Sequence, residues 1–416
     1  MRSENVPFPV MDRRIRGLFA LALLLRAAFV LYHAHLGWQL RNDPSMYLTL
    51  AQNMRHGVYS MFHPLDIPDT IKVPGYPALL WLLRGNVAAV LAVQVVISAI
   101  KVPLVFLLAR TVGLRQPFSL IAAALIAVEP MDILLSGQVL TESLFTTLVL
   151  AGTLLILHGI HWRPLLLATV LFAAASWVRP NGIWLVLLAS IAGYFCVHRS
   201  IHRSLAFVAV GLLLLLPWAL RNQSAMGRFY LGDSAAVAAA YYQVPDVLHA
   251  ANDPRAETYQ KALRERASSM DWEDRKSFHT FFDGLRNATR STLVEYPVTW
   301  IRVHLGKAVR IYLAPGRGHI RTFFGNIAGM QYALLIISAA FSLLLALALV
   351  VWLIHIRQLP FWLWMLLLIS GYLIMSGALT TSDARFKNPA MPLLLVGVAW
   401  AVERIQDRLE KHGDPA

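Results

Sequence analysis

Charge is scarce in this sequence. Only 14% of its 416 residues are Asp, Glu, Lys or Arg, against about 25% in an ordinary soluble domain. With 57% hydrophobic residues and a mean hydropathy of +0.56, the deficit excludes a simple water-soluble domain and indicates a polytopic membrane protein. Cysteine is nearly absent: the single Cys196 excludes an intrachain disulfide, and no cysteine cluster suggests zinc. Acids are scarcer than bases, 23 against 37, for a formal net charge of +14. In a soluble protein that excess would raise nucleic acid as a partner. Here part of it is orientation charge and part lies in one long loop, so no nucleic acid is expected. Internal repeats and low-complexity tracts are also missing.

The apolar runs give about ten expected spans of roughly the 20 residues that a bilayer core requires. They cover 17–36, 86–110, 117–133, 142–160, 164–178, 182–198, 204–220, 330–354, 359–379 and 389–403. The run 117–133 ends in Glu129 and Asp132, and 164–178 is short. The leading stretch MRSENVPFPVMDRRIRG resembles the start of a signal peptide, but Arg26 interrupts the run and no small-x-small site follows. A retained helix is expected. Arg13, Arg14 and Arg16, then Arg110, Arg115, Arg163, Arg199, Arg203, Arg357, Arg404, Arg408 and Lys411, fall at alternate span ends and mark one side as cytoplasmic. Both termini are expected there, with the 37–85, 221–329 and 380–388 loops on the opposite face.

The expected fold class is thus an all-α polytopic membrane protein with a helical loop region on its outer face. Residues 1–220 form an N-terminal membrane module that contains the 37–85 loop. Residues 221–329 form the helical loop region, and 330–416 the last spans and a short tail. Within 221–329, Asp253-Pro254 starts one helix and Asp271 with Asp274 suggests a second. Pro297 opens a third, PVTWIRVHLGKAVRIYL, whose mixture of apolar and basic residues suits the membrane interface.

Polar chemistry gathers in the first loop. Asp43 sits where a carboxylate could deprotonate an acceptor hydroxyl; as the Asp of an Asp-Pro pair it could equally cap the helix that Tyr47, Leu50, Ala51 and Met54 continue. Lys72, in KVPGYP before Tyr76, could neutralise a phosphate as a point charge or snorkel at the interface. Pro74 and Pro77 stiffen the backbone there, and Gly75 would permit a tight turn. Arg179, Arg385 and Lys387 fall on the same expected side, as an anionic lipid head would require. Each would also serve as a helix-end anchor. Glu142, after Thr141, is either a second site acid or a first-turn acid favoured by the helix dipole. Arg26 and Lys101 lie inside spans and should find partners in the bundle. His198 and His202 are four apart but have no third ligand, and His33 and His35 point to different faces. His56, His63 and His319 could contact sugar, though no spacing selects them.

Taken in order, these residues resemble the GT-C superfamily of membrane glycosyltransferases, and within it the bacterial family related to protein O-mannosyltransferases and to lipid A aminoarabinose transferases. The pattern runs D-x-x-x-Y-x-x-x-A-x-x-x-x-x-G at Asp43, Tyr47, Ala51 and Gly57, then K-x-P-G-Y-P from Lys72 to Pro77. LTESLF from Leu140 to Phe145, VRPNG from Val178 to Gly182, PWALRN from Pro217 to Asn222 and ARFKNPAMP from Ala384 to Pro392 complete it.

The resemblance implies inverting transfer of a sugar from a polyprenyl-phosphate donor to a glycan, lipid or protein acceptor on the periplasmic face of a bacterial inner membrane. Asp43 matches the family's catalytic aspartate, with Glu142 as a second candidate acid. Lys72 matches the lysine that contacts the donor phosphate in the lipid A branch, and Arg385 a basic position near that phosphate. Tyr47, Tyr76, Arg179 and Lys387 complete the expected substrate-binding set. Many members have Asp-Glu in the first loop, where Pro44 follows Asp43 here, and some have an acid where Ile71 stands. Both departures remove metal ligands, so no cofactor is expected. The acceptor is not implied, because this sequence stops soon after the last run, where some members continue into a large soluble domain. A flippase for a lipid-linked glycan, or a polymerase using a prenyl-diphosphate donor, would share the basic groove and the many spans. Against the flippase stand the missing repeat and the gathering of polar residues at one face.

Overall fold

The structure is a computed structural model. It describes residues 12–38, 40, 42–61, 67–158, 161–196, 201–271 and 274–413. His63 and His198 lie outside the described residues. The chain is built from helices: α1 Arg13–His35, α2 Asp43–Asn53, α3 Gly75–Leu82, α4 Val87–Ala99, α5 Lys101–Thr111, α6 Gln116–Val128, α7 Pro130–Ser136, α8 Glu142–His158, α9 Trp162–Val178, α10 Ile183–Cys196 and α11 Ile201–Met226. Then follow α12 Ser234–Ala238, α13 Val244–Ala250, α14 Arg255–Ser268, α15 Arg275–Glu295, α16 Pro297–Leu313, α17 Arg317–Phe324, α18 Ala328–Ile354, α19 Phe361–Ala378 and α20 Met391–Gly413. No strand occurs among the described residues.

This is a multi-pass all-α membrane protein, with fewer long apolar helices among the described residues than the ten expected spans. Among the described residues five helical stretches are long and apolar enough to cross a bilayer: Arg13–His35, Val87–Thr111, Ser204–Met226, Ala328–Ile354 and Phe361–Ala378. A sixth arises if α6 and α7, bent by 50° at their junction, are counted together. The helices at the expected spans 142–160, 164–178 and 182–198 are shorter. α8 and α9 are apolar but have 17 residues each, and α10 has 14. The 389–403 run is the buried first part of α20, whose second part is polar.

The break between α6 and α7 has a plain cause. Pro130 has no N–H to donate to Ile126, and a residue before proline is pushed out of the helical region. Glu129 accordingly adopts an extended conformation, ψ 116°, and its carboxylate accepts the Asp132 N–H as an N-cap. In an apolar surrounding the freed carbonyls must find donors. Arg26 supplies them, donating to Ile126 O at 3.2 Å and Ala127 O at 3.0 Å. The same guanidinium pairs with Asp132 at 2.5 Å, and Lys101 pairs with that carboxylate from α5. Ser98 and Asn388 donate to it at 2.9 and 3.0 Å. All of these side chains are buried.

The polar segment 221–329 folds into helices with a small core of its own, made by Met226, Ala240, Leu263, Phe278, Phe281, Phe282 and Leu285. Its helix starts follow the residues the sequence marks. Asp253 accepts the Arg255 N–H ahead of α14, and Asp274 accepts those of Lys276 and Ser277 ahead of α15. Pro297 is the first residue of α16.

Candidate active site

Asp43 is the first residue of α2, not its cap. The capping position is Asn42, at a left-handed φ of 61° with no side-chain capping bond. A non-glycine residue there is strained, and the strain lies one residue from the carboxylate. Instead of bonding its own helix, that carboxylate faces two cations. Lys72 Nζ donates to Oδ1 at 2.9 Å, and both terminal nitrogens of Arg385 lie 3.3 Å from Oδ2. Residues 29 and 342 positions away thus meet on one side chain.

A second pair stands beside the first. Glu142, buried at the start of α8, lies 3.5 Å from Arg179, which follows α9. Arg179 covers the rings of Phe145 and Phe386 at 5.6 and 5.7 Å, and Arg385 covers Phe386 at 5.0 Å. One aromatic ring therefore carries both guanidiniums. Lys72 lies 5.0 Å above the Tyr47 ring, which meets Tyr76 edge-on at 5.0 Å. Lys72, Arg179 and Arg385 oppose Asp43 and Glu142, so this inner cluster has one positive charge in excess. Asp383, behind Arg385, accepts from His319 at 2.9 Å and caps the Arg385 N–H. Arg385 Nε is a buried donor with no partner. Such a group normally finds one.

The charges tune one another. Burial alone would push the Asp43 carboxyl up, but Lys72 and Arg385 outweigh it and hold it below the usual carboxylate range. Burial would pull the Lys72 ammonium down; Tyr47 and Asp43 outweigh that, and it sits above the ordinary lysine value.

Two expected contributors are turned elsewhere. Lys387 is buried with its ammonium on the carbonyls of Tyr312 and Ala314, at 3.3 and 2.9 Å. It closes the end of α16 rather than joining the cluster two residues away. Tyr76 is fully buried and its hydroxyl donates to Gln94, which is itself fixed by the carbonyls of Ser136 and Gln138. Tyr76 packs against Tyr47 and has no free hydroxyl to offer. Gly75 does not form a turn. It is the first residue of α3, and a Cβ on it would stand 2.5 Å from the Trp177 carbonyl oxygen, so glycine lets α3 press on the end of α9.

Other residues hold the Lys72 backbone. Asp69 accepts the N–H of Lys72 at 2.8 Å and of Ile71 at 3.0 Å, and Tyr59 donates to the Lys72 carbonyl at 3.1 Å. Arg221, near the end of α11, donates to the carbonyls of Asp69 and Tyr59 at 2.8 and 3.0 Å and stacks on Tyr59 and Trp218. Next to them Thr70 donates to Asp233, which also pairs with Arg286 of α15. Arg221 belongs to PWALRN, so the signal was present, but nothing local says which loop it grips. Among the described residues no group of three His, Cys, Asp or Glu side chains converges as metal ligands would.

No protein-family profile matches the sequence, and no curated protein matches it. Among solved structures, the chain is similar to the archaeal oligosaccharyltransferase AglB from Archaeoglobus fulgidus, in complex with an inhibitory peptide and a dolichol-phosphate. The TM-score is 0.55 at 17% identity, over 97% of this chain and 52% of that one. The chain thus spans about half the length of that relative. At this identity the likeness is one of fold.

Proposed function

We propose that the chain is an inverting glycosyltransferase that moves a sugar from a polyprenyl-phosphate donor to a cell-envelope acceptor, at the periplasmic face of a bacterial inner membrane. The observation that carries this reading is Asp43 set between Lys72 and Arg385, with Arg179 and Glu142 beside them. The donor phosphate takes Lys72, Arg385 and its unpartnered Nε, with Arg179 completing the cradle. The acceptor hydroxyl gives its proton to Asp43 as its oxygen bonds the anomeric carbon. The bond from that carbon to the phosphate oxygen breaks, and prenyl phosphate leaves with the electron pair. One displacement inverts the configuration. Fixed cations stabilise the charge that develops on the leaving oxygen. Glu142 holds Arg179 in line as the second acid of the site, and Tyr47 forms the floor under Lys72.

The charge count favours a monophosphate donor over a diphosphate. An excess of at most one positive charge matches a phosphodiester, whereas a diphosphate would leave uncompensated negative charge in a half-buried site. The fold neighbour was solved with a dolichol-phosphate, which supports a lipid-phosphate ligand for this architecture. We propose that the transfer needs no metal, because the three cations supply the positive charge.

The test is Asp43→Asn. Loss of a general base removes about 10²–10⁴-fold of the rate, so turnover should fall by that range while prenyl-phosphate binding persists. Product analysis of the parent protein should find free prenyl monophosphate and transferred sugar, at a rate indifferent to chelator. An Asn variant with full turnover overturns the role of Asp43. Unaltered donor recovered in the other leaflet would make the protein a transporter.

A further inference from the structure

Helix α16 does not behave as part of a water-exposed domain. Val298, Ile301, Leu305 and Val309 recur at steps of three and four along one face, between 51% and 77% exposed. The opposite face, with His304, Lys307 and Ile311, is buried. A continuous exposed apolar stripe of this kind marks a surface that meets something apolar.

Its tethers give the depth at which that surface lies. Lys307 pairs with Asp246 of α13 and donates to the Thr380 carbonyl at 3.2 Å, just past the end of the span α19. Five residues on, Tyr312 donates to the carbonyl of Leu345 at 2.8 Å, well inside the span α18. Lys387 then satisfies the carbonyls of Tyr312 and Ala314. A helix ending in water would leave its last carbonyls to solvent, whereas one ending in hydrocarbon needs a protein donor. Arg302 and Arg310 are exposed beside the apolar stripe. The Arg310 guanidinium lies 3.9 Å from where a Cβ on Gly306 would stand, so it bends back one turn toward the start of the helix. A snorkelling arginine does this to reach the headgroups.

We propose that α16 is a re-entrant helix seated in the leaflet on the Asp43 side, with Val298, Ile301, Leu305 and Val309 against lipid acyl chains and Arg310 on lipid phosphates. It dips into the membrane rather than lying flat along its surface as its sequence suggests. Its lower end is held by Lys387, two residues beyond Arg385, which ties the helix to the segment that carries Arg385.

The experiment uses the full chain in vesicles of phosphatidylethanolamine and phosphatidylglycerol, in a Cys196→Ser background. Val298→Cys, Ile301→Cys, Leu305→Cys and Val309→Cys each carry a nitroxide. All four positions are exposed, so the substitutions spare the packing. Oxygen access relative to a water-soluble nickel chelate should rise steadily from 298 to 309, across about 16 Å of helix at 1.5 Å per residue. Lys261→Cys, 81% exposed on its side chain, gives the aqueous reference. Equal depth at the four positions would mean a flat interfacial helix. Chelate access equal to the reference would mean water, and poor access to both reagents would mean a protein cover. Each of these three overturns the proposal.

Discussion

Lys72 on one oxygen of Asp43 and Arg385 on the other leave that carboxylate a weak base, because both cations favour its ionised form. A donor phosphate that draws the two cations to itself would loosen the pair and add negative charge nearby, so the carboxyl would rise. The two pH profiles of the reaction separate these states. The free protein governs kcat/KM and the bound one governs kcat. With its pKa depressed, Asp43 stays ionised until the pH drops through that lowered value, so the acid limb of kcat/KM should lie below the ordinary aspartate value of about 3.9. The acid limb of kcat should lie at higher pH. Limbs that coincide would mean that the phosphate does not free the base.

The described part of the loop that carries Lys72 has no regular secondary structure, and its shape comes from Asp69, Tyr59 and Arg221. Arg221 bridges two carbonyls with one planar fork, which the single ammonium of a lysine does not reproduce. A hydrogen bond from a charged donor is worth about 1.5–3 kcal/mol, so Arg221→Lys should raise the donor KM about tenfold or more with little change in kcat. Asp69 acts on the backbone only as an acceptor. Asp69→Asn should therefore keep the parent KM, and Asp69→Ala should raise it. A loss of folded protein with unchanged KM in the survivors would reduce both residues to folding alone. The same contrast explains what could be read from the sequence. Asp43, Lys72 and Arg385 stand in segments whose order and local types are distinctive, so they could be singled out one by one. The grip of Arg221 on Asp69 spans 152 positions, and no local pattern encodes it. Lys387 and Tyr76 show the opposite failure: their place in the chain lies beside the site, but burial turns their polar ends to carbonyls and to Gln94. The count of spans comes out lower among the described residues where apolar runs are real but short. Glu129 and Asp132 at the end of the 117–133 run mark it as irregular, but they do not give the break at Pro130.

At the scale of the molecule, one buried carboxylate joins what the polar cluster needs to be rigid. Asp132 of α7 takes Arg26 from α1, Ser98 from α4, Lys101 from α5 and Asn388 from the segment that carries Arg385. Thr146 of α8 donates to that same Asn388 at 3.2 Å. The height of Arg385 is thus referred to the membrane helices through Asn388, three residues along. Two full cations rest on this one acid, with Glu129 adjoining it. Asp132→Asn keeps the shape but removes the charge, and leaves Arg26 and Lys101 in a dry interior without their counter-ion. Breaking a buried pair from one side costs about 3–5 kcal/mol, so the unfolding midpoint in detergent should fall markedly. Arg26→Met in the same chain removes one of the stranded cations. If the penalty is electrostatic, the double variant should recover part of the lost midpoint. A double variant no more stable than Asp132→Asn alone would mean that the network acts by hydrogen-bond geometry rather than by charge balance.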